Sequence, residues 1–181
     1  MKKGMVISSI AIIVIVAIIV VFNNSKSVDY INDNNFLYDI AIDYLREEYM
    51  AEDKEYNQKD NYHIFFDYEG FGITKEDNIK YAYMWILEES YYVEYDEVKL
   101  SSSSSMPYKI KFIDNVVVDF ETSKDGTEYV SSIKGMFPDD IEDKVIEFSL
   151  SDAKIKKEVD DYYSDYEWWV LYTYSYERRK W

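Results

Sequence analysis

The chain has 181 residues, 48% of them hydrophobic, and its formal net charge at pH 7 is −16. This length allows one domain once a targeting segment is set aside. The negative charge argues against nucleic acid and anionic lipid as partners, because both would repel the chain. The chain has no cysteine, which excludes disulfides and a lipid-modified cysteine.

The N-terminus predicts a retained signal anchor within residues 1–27. Lys2 and Lys3 precede an uncharged run, residues 5–22, which as a helix would be about 27 Å long and close to the hydrocarbon thickness of a bilayer. The positive flank comes first, so a single-pass protein with a cytoplasmic N-terminus is expected. The alternatives are a signal peptide cleaved near residues 25–27 and a helix buried in a core.

The expected extracellular domain is residues 28–181, which hold all 36 acidic residues of the chain. A cationic partner, or the positive ions held in a cell wall, would be attracted to such a domain. Acidity also has a simpler explanation, because it keeps an exported domain soluble.

The first predicted element of this domain is a helix over residues 34–52. Asp33 precedes it and is available as its N-cap. Apolar side chains recur at helical spacing, namely Phe36, Leu37, Ile40, Ala41, Tyr44 and Leu45.

Two strands are predicted after this helix. The first covers residues 61–72 and is expected to end at Gly70 and Gly72. The second covers residues 79–98, where aromatic side chains are abundant and alternate, with a bend or bulge near residues 88–89. A helix over residues 79–98 is the alternative.

Five consecutive serines, residues 101–105, come next. A long strand before them and a hairpin directly after them predict a solvated turn within one sheet. A linker between domains would need a unit on each side that could bury its own core, and neither side is long enough.

The hairpin is predicted to turn at Asp114 and Asn115. The side chains that alternate along its two strands are Tyr108, Ile110 and Phe112 before the turn and Val116, Val118 and Phe120 after it.

Beyond the sheet, three helices are predicted. The first follows a turn at residues 125–126, the second begins with the acidic pair at residues 139–140 after Pro138, and Ser151 caps the third. Their apolar faces carry Tyr129, Ile133 and Met136 in the first helix and Ile155, Val159, Tyr162 and Tyr166 in the third. The order of elements predicts an α+β domain, with an antiparallel meander packed against N-terminal and C-terminal helices.

The end of the chain, residues 168–176, fits either a continuation of the third helix or a strand. A basic cluster follows at residues 178–180. Together with the aromatic residues before it, this cluster also fits a patch that binds a partner or a membrane interface.

Three stretches of the sequence carry a resemblance: YAYMWILEESYY, the serine-rich segment that runs into MPYKIKF, and the pattern DG-x-x-Y-x-x-x-I-K-x-x-F-P at residues 125–138. Over residues 62–145 the chain resembles an uncharacterised exported domain of low-GC Gram-positive bacteria, which occurs alone behind a membrane anchor. A similar segment is appended to some BlaR-type sensor-transducer metallopeptidases. The resemblance implies location and fold, and it implies no protease chemistry because the HExxH motif is missing.

Candidate nucleophiles are weak in this sequence. Ser131 with Lys134 and Ser151 with Lys154 match the S-x-x-K spacing of exported acyl-transfer enzymes, but the companion S-D-N and K-T-G elements are missing. Helix spacing and capping explain both matches. His63, the one histidine, would have to be the base of a Ser-His-Asp arrangement, and its apolar surroundings favour a partly buried structural role.

Metal sites have equally little support. Zinc usually takes nitrogen or sulfur ligands, which a chain with one histidine and no cysteine supplies poorly. Calcium could use Asp67 with Glu69, or the pair at residues 139–140, but the EF-hand loop pattern is missing. The glycines of residues 70–72 predict a turn and not a phosphate loop. We therefore assign no catalytic, cofactor-binding or metal-binding residue and predict no cofactor.

Two functions from different classes remain. The first is a membrane-anchored, non-catalytic domain that binds or senses an unknown protein or cell-wall partner, for which 20 tyrosines offer contact area, although strand and core packing accounts for most of them. The alternative is a hydrolase that acts on cell-wall polymer through paired carboxylates.

Overall fold

The computed structural model describes residues 35–52, 59, 61–95 and 97–164. These residues form an α+β fold in which an antiparallel four-stranded sheet packs against helices, as the sequence predicts. The predicted signal anchor lies outside the described residues. Within the described part of the chain, no helix is long and apolar enough to cross a membrane.

Helix α1 spans Asn35–Glu52 and confirms the helix predicted over residues 34–52. The predicted cap, Asp33, lies outside the described residues. One face of α1 packs on the sheet because its apolar side chains recur every three or four residues. That face carries Leu37, Tyr38, Ala41, Ile42 and Leu45.

The sheet is a meander, which confirms the predicted topology. Its strands are β1 (His63–Glu76), β2 (Ile79–Glu94), β3 (Glu97–Ile113) and β4 (Val116–Thr122). They pair in the order β1-β2-β3-β4, each antiparallel to the next. Strand β4 pairs with residues 108–113 of β3, so the first half of β3 extends past it.

The first strand does not end at Gly70 and Gly72, so this prediction was wrong. It continues to Glu76, and the two glycines flank a bulge where the pairing with β2 shifts. Gly72 has a φ of 142° and its N–H donates to the Tyr38 hydroxyl at 3.0 Å. The Tyr38 ring also lies against Gly70, where a side chain would collide with it. The glycines therefore let α1 approach the sheet instead of ending the strand.

The single strand predicted over residues 79–98 is two strands joined by a tight turn. Strand β2 ends at Glu94, Tyr95 takes a positive φ of 54°, and β3 begins at Glu97. The irregularity predicted near residues 88–89 occurs one step later, between Ser90 and Tyr91, where the pairing with β3 shifts.

The five serines are not a turn, and the prediction of a solvated loop was wrong. Residues 101–105 lie inside β3, where residues 102–105 pair with β2 and Ser101 is the extra residue of the bulge. Serine has little strand preference of its own, but strand preference depends on what a side chain contacts across the sheet. The contacts of these hydroxyls belong to β2 and are described below.

The hairpin turn predicted at Asp114 and Asn115 is confirmed, since both residues have positive φ, 50° and 65°. The predicted face of β3 is buried at Tyr108, Ile110 and Phe112.

The alternation predicted for β4 was wrong at Val116 and Val118 and is confirmed at Phe120, which packs against the core. A bulge between Lys111 and Phe112 shifts the pairing of β3 with β4. As a result Val117 is buried, whereas Val116 and Val118 are exposed. A bulge moves every later side chain to the other face, and alternation alone does not reveal it.

Both faces of the sheet are covered. Helix α1 packs on one face, where the sheet contributes Ile64, Phe66, Ile73, Ala82, Met84, Ile86, Tyr108, Ile110 and Phe112. The C-terminal helices pack on the other face, where the sheet contributes Phe65, Tyr83, Trp85 and Leu87.

The three predicted C-terminal helices are present. After a short 3-10 turn at Gly126–Glu128, α2 spans Tyr129–Met136, α3 spans Glu142–Glu147 and α4 covers residues 153–164. Helix α3 begins after residues 139–140, which form a turn.

The buried stripe of α4 differs from the prediction by one residue. It carries Ile155, Val159 and Tyr163, whereas the predicted Tyr162 is exposed. Tyr166 and the tail at residues 168–176 lie outside the described residues.

Candidate functional site

Two buried carboxylates lie on the sheet face that the C-terminal helices cover. Strand pairing places Glu89 opposite Phe65 and Asp67 opposite Leu87. The two acidic residues are therefore diagonal neighbours whose backbones are about 7–8 Å apart. Their exposed fractions are 8% for Asp67 and 6% for Glu89, so each needs partners inside the protein.

The Glu89 carboxylate accepts hydrogen bonds on both oxygens. The Tyr91 hydroxyl donates to Oε2 at 2.6 Å and the Ser103 hydroxyl donates to Oε1 at 3.2 Å. Burial, and after it the bond to Glu89, raises the pKa of Tyr91 far above its ordinary value, so this phenol keeps its proton and remains a donor. Glu89 thus joins β2 to Ser103 of β3.

The Asp67 carboxylate has a cation as its partner. Lys154, on α4, places its Nζ 2.5 Å from Oδ1, and the backbone N–H of Tyr68 donates to the same oxygen at 2.9 Å. On the other face of β1, the Tyr68 hydroxyl donates to Asp39 of α1 at 3.0 Å. Burial, followed by this bond, raises the pKa of Tyr68 to about 12. Neighbouring residues of β1 thus bind the helices on opposite faces.

The serine segment, defined as residues 100–106 of β3, bonds to β2 through its side chains. The Trp85 indole N–H donates to the Ser105 hydroxyl at 2.8 Å, and the hydroxyls of Ser90 and Ser102 are 2.7 Å apart. The Ser101 hydroxyl oxygen is buried and has no hydrogen-bond partner among the described residues. These bonds hold a run of small polar residues in an extended strand.

The tip of the β2–β3 hairpin is both apolar and acidic. Tyr95, Val98 and Leu100 are exposed there, Tyr95 by 88%. The same tip carries Glu94 and Glu97, whose carboxylates lie 3.1 and 3.9 Å from the Lys99 ammonium. The exposed apolar side chains thus lie next to the uncharged residues 100–106, on a chain of which 31% is charged.

The two S-x-x-K matches lie in structural roles. The Ser131 hydroxyl donates to a backbone carbonyl at 2.9 Å, and Lys134 pairs with Glu142 at 3.3 Å. The Ser151 hydroxyl accepts the backbone N–H of Ala153 at 3.2 Å, which confirms its predicted capping role, and Lys154 pairs with Asp67. In neither match does the lysine contact the serine hydroxyl.

His63 is partly buried, as predicted. Its ring stacks on Tyr162 of α4 with centroids 4.4 Å apart and meets Phe65 edge-on at 4.6 Å. Burial, and after it the charge of Arg46, lowers the pKa of His63 below its ordinary value of 6.5. The imidazole is therefore held neutral against an aromatic cluster.

The calcium candidates do not come together. Asp67 pairs with Lys154, Glu69 is exposed, and Asp139 and Asp140 lie in an exposed turn. Among the described residues, no group of three or more histidines, cysteines or acidic residues is arranged to hold a metal ion.

Sequence reasoning missed the cluster of Glu89, Tyr91 and the serine segment. The signal was an acidic residue inside an otherwise buried aromatic strand, which predicts an internal partner. The partner itself cannot be read from the sequence, because five consecutive serines predict a loop and not a strand.

A comparison of the chain with protein families, with curated proteins and with solved structures found no match.

Proposed function

We propose that this protein is a membrane-anchored domain outside the cytoplasm that binds or senses a partner and does not catalyse a reaction. The observation that carries the proposal is the serine segment, an uncharged and partly exposed strand beside the apolar side chains of the hairpin tip. Exposed apolar side chains that lie together and are rimmed by polar residues mark interaction sites.

The bonding of the candidate catalytic groups supports the same proposal. Glu89 and Asp67 each bind groups of the protein itself, and His63 stacks between aromatic rings. A general acid or base needs a proton within reach of a substrate atom. Side chains that bond the sheet to its own strands and helices are poorly placed to exchange a proton with a substrate.

The anchor is the part of this proposal that rests on residues 5–22. It is supported by the length of the uncharged run and by the lysines before it. External protease added to intact cells should remove residues 28–181 and leave the N-terminal lysines in the membrane fraction. A soluble form that begins near residue 28 would contradict the anchor.

Binding is tested by photo-crosslinking in intact cells. A benzoylphenylalanine in place of Val98, at the hairpin tip, should form an adduct with a partner. The matched control carries benzoylphenylalanine in place of Val116. Val116 is also exposed, and it pairs with Ile113 at the other end of β3. Equal adducts at both positions, or none at Val98, would contradict a binding surface at the tip.

A hydrolase with paired carboxylates remains the second candidate, because Asp67 and Glu89 are close on one face. Glycosidases separate their two carboxyl groups by about 5–5.5 Å or about 6.5–9.5 Å, and diagonal strand neighbours on one face have side chains that can come this close. If purified full chain released soluble fragments from cell-wall polymer, and Glu89→Gln abolished the release while the protein stayed folded, the non-catalytic proposal would be wrong.

A further inference from the structure

In the described part of the chain, the outer edge of β3 is unpaired along the serine segment. Strand β4 covers residues 108–113, and among the described residues no strand pairs with the outer side of residues 97–107. The backbone N–H of Ser123 donates to the Pro107 carbonyl at 3.3 Å, so Pro107 directs its carbonyl away from β2. The open part of the edge begins directly after that bond.

The direction of the Pro107 carbonyl sets the direction of its neighbours. In an antiparallel strand both backbone groups of a residue point to the same side, and alternate residues point to opposite sides. Ser105 and Ser103 therefore present their N–H and C=O groups to the open edge. Ser104 and Ser102 direct theirs toward β2, with which they pair.

The other sheet edges carry features that discourage pairing. Strand β1 has charged residues and a bulge at Gly70 and Gly72, and β4 is short and includes Asp119 and Glu121. Charges, bulges and short strands are the usual protection of a sheet edge. The serine segment has no charge and no proline; its one irregularity is the bulge at Ser101, and residues 102–106 pair regularly with β2.

We infer that the serine segment binds an extended polypeptide of another protein, which adds to the sheet as a strand beside β3. This inference rests on the binding function proposed above. The backbone groups of Ser103 and Ser105 supply the hydrogen bonds, and small side chains let the incoming strand approach closely. The exposed Val98 and Leu100 supply apolar contact at the tip.

Charge selects the chemistry of the partner. Residues 100–106 are uncharged, and the tip end is acidic because Glu94 and Glu97 share one cation, Lys99. At the other end Glu121 is paired with Lys109. A segment with an uncharged centre and a basic flank at the tip end complements this pattern. A second copy of this chain is a poor partner, because each copy has a formal net charge of −16.

The test uses the full chain in detergent micelles and the synthetic peptide KKTVTVTVTKK. Amide hydrogen exchange is followed by NMR with and without the peptide. At a peptide concentration of about ten times the Kd, exchange at Ser103 and Ser105 should slow by about tenfold, as expected for groups protected in the complex. Ser102 and Ser104, already bonded to β2, should change little.

Two control peptides separate strand addition from simple charge attraction. KKPPPPPPPKK keeps the basic flanks but has no N–H group in its centre in either register, and it should not bind. EETVTVTVTEE keeps the backbone groups but reverses the charge, and it should bind at least about tenfold more weakly at low salt. Equal binding of the proline peptide would overturn the proposal.

A pair of protein variants gives an independent reading. Ser105→Pro removes an N–H that faces the open edge and should abolish peptide binding. Thr122→Pro is the matched control on β4. Glu121 pairs with Lys109 of β3, so the backbone N–H of the next residue, Thr122, points away from β3. If Ser105→Pro does not fold, the peptide comparison alone decides. Binding that survives in folded Ser105→Pro would overturn the proposal.

Two further outcomes are decisive. Protection of Ser103 and Ser105 without peptide, rising with protein concentration together with a dimer in sedimentation, would mean that a second copy occupies the edge. A crosslinked partner at Val98 without protection of Ser103 or Ser105 by any peptide would overturn strand addition and leave the binding function standing.

Discussion

The Lys154 ammonium lies 2.5 Å from a carboxylate oxygen of Asp67, although the two residues are 87 positions apart in the sequence. The Asp67 side chain is only 11% exposed and the Lys154 side chain is 58% exposed. The contact thus fixes α4 on β1 around a carboxylate that has little access to water.

Lys154→Met should lower the free energy of unfolding by about 1–2 kcal/mol, because it leaves a buried carboxylate without its cation. The loss should be smaller than for a fully buried pair, because the lysine is exposed to solvent. Adding Asp67→Asn should recover part of the loss. Urea unfolding followed by tryptophan fluorescence measures both effects. Lys156→Met is the control, since its pair with Asp152 lies on the exposed face of α4. If Lys154→Met and Lys156→Met lower the free energy of unfolding equally, the burial of Asp67 does not strengthen its ion pair.

Gly70→Ala should destabilise the domain. An added Cβ would lie 2.8 Å from the Tyr38 hydroxyl oxygen and closer still to the ring, so α1 would have to move away from β1. Overpacking of this kind costs about 1–3 kcal/mol. Gly135→Ala is the matched control, because no atom lies within 4 Å of its added Cβ and alanine favours the helix by up to about 1 kcal/mol. Thermal unfolding should shift in opposite directions for the two variants.

Ser105→Ala should lower stability although serine is small and this one is exposed. The Trp85 indole N–H donates to the Ser105 hydroxyl at 2.8 Å and the bond is partly buried, so the substitution removes the protein partner of this donor. The expected loss is about 0.5–1.5 kcal/mol. Ser105→Thr keeps the hydroxyl and should restore stability, as denaturant titration would show. If alanine and threonine behave alike, the bond contributes nothing.

Stability should depend on the protonation of His63. The pKa of His63 is lower in the folded protein than its ordinary value of 6.5. The neutral imidazole therefore adds its full contribution to the free energy of unfolding above pH 6.5, and this contribution is lost as the pH falls through the folded-state pKa. The free energy of unfolding should be measured with denaturant above pH 6.5 and then at successively lower pH. It should decline less for His63→Gln than for the wild-type protein. Superimposable pH curves would contradict the assignment.

The sequence predicted those elements whose signals are local. Helix α1 follows from apolar spacing within residues 34–52, and the turn at Asp114 and Asn115 follows from residues that tolerate positive φ. Ser151 caps α4 as its position predicts. In each case the residues that decide the structure are adjacent in the chain.

The errors arose where the deciding contact is distant. The serines form a strand because their hydroxyls meet Trp85, Glu89 and Ser90 on β2, and nothing within the run itself reveals those partners. Similarly, Gly70 stays inside a strand because the Tyr38 ring of α1 needs the space. The candidate site was missed for the same reason.

The meander order also has a consequence for how the chain acquires its structure. Each strand pairs with its neighbour in the sequence, so we expect the ladders to form one after another while the chain is still emerging, as local contacts favour. The bond from the Tyr163 hydroxyl to the Asn61 carbonyl, 2.8 Å long and 102 residues apart in sequence, has to wait for the last helix. Pulse-labelled exchange should therefore find β2 and β3 protected before α4, and a nascent chain that stops short of α4 should expose the aromatic face of its sheet to chaperones.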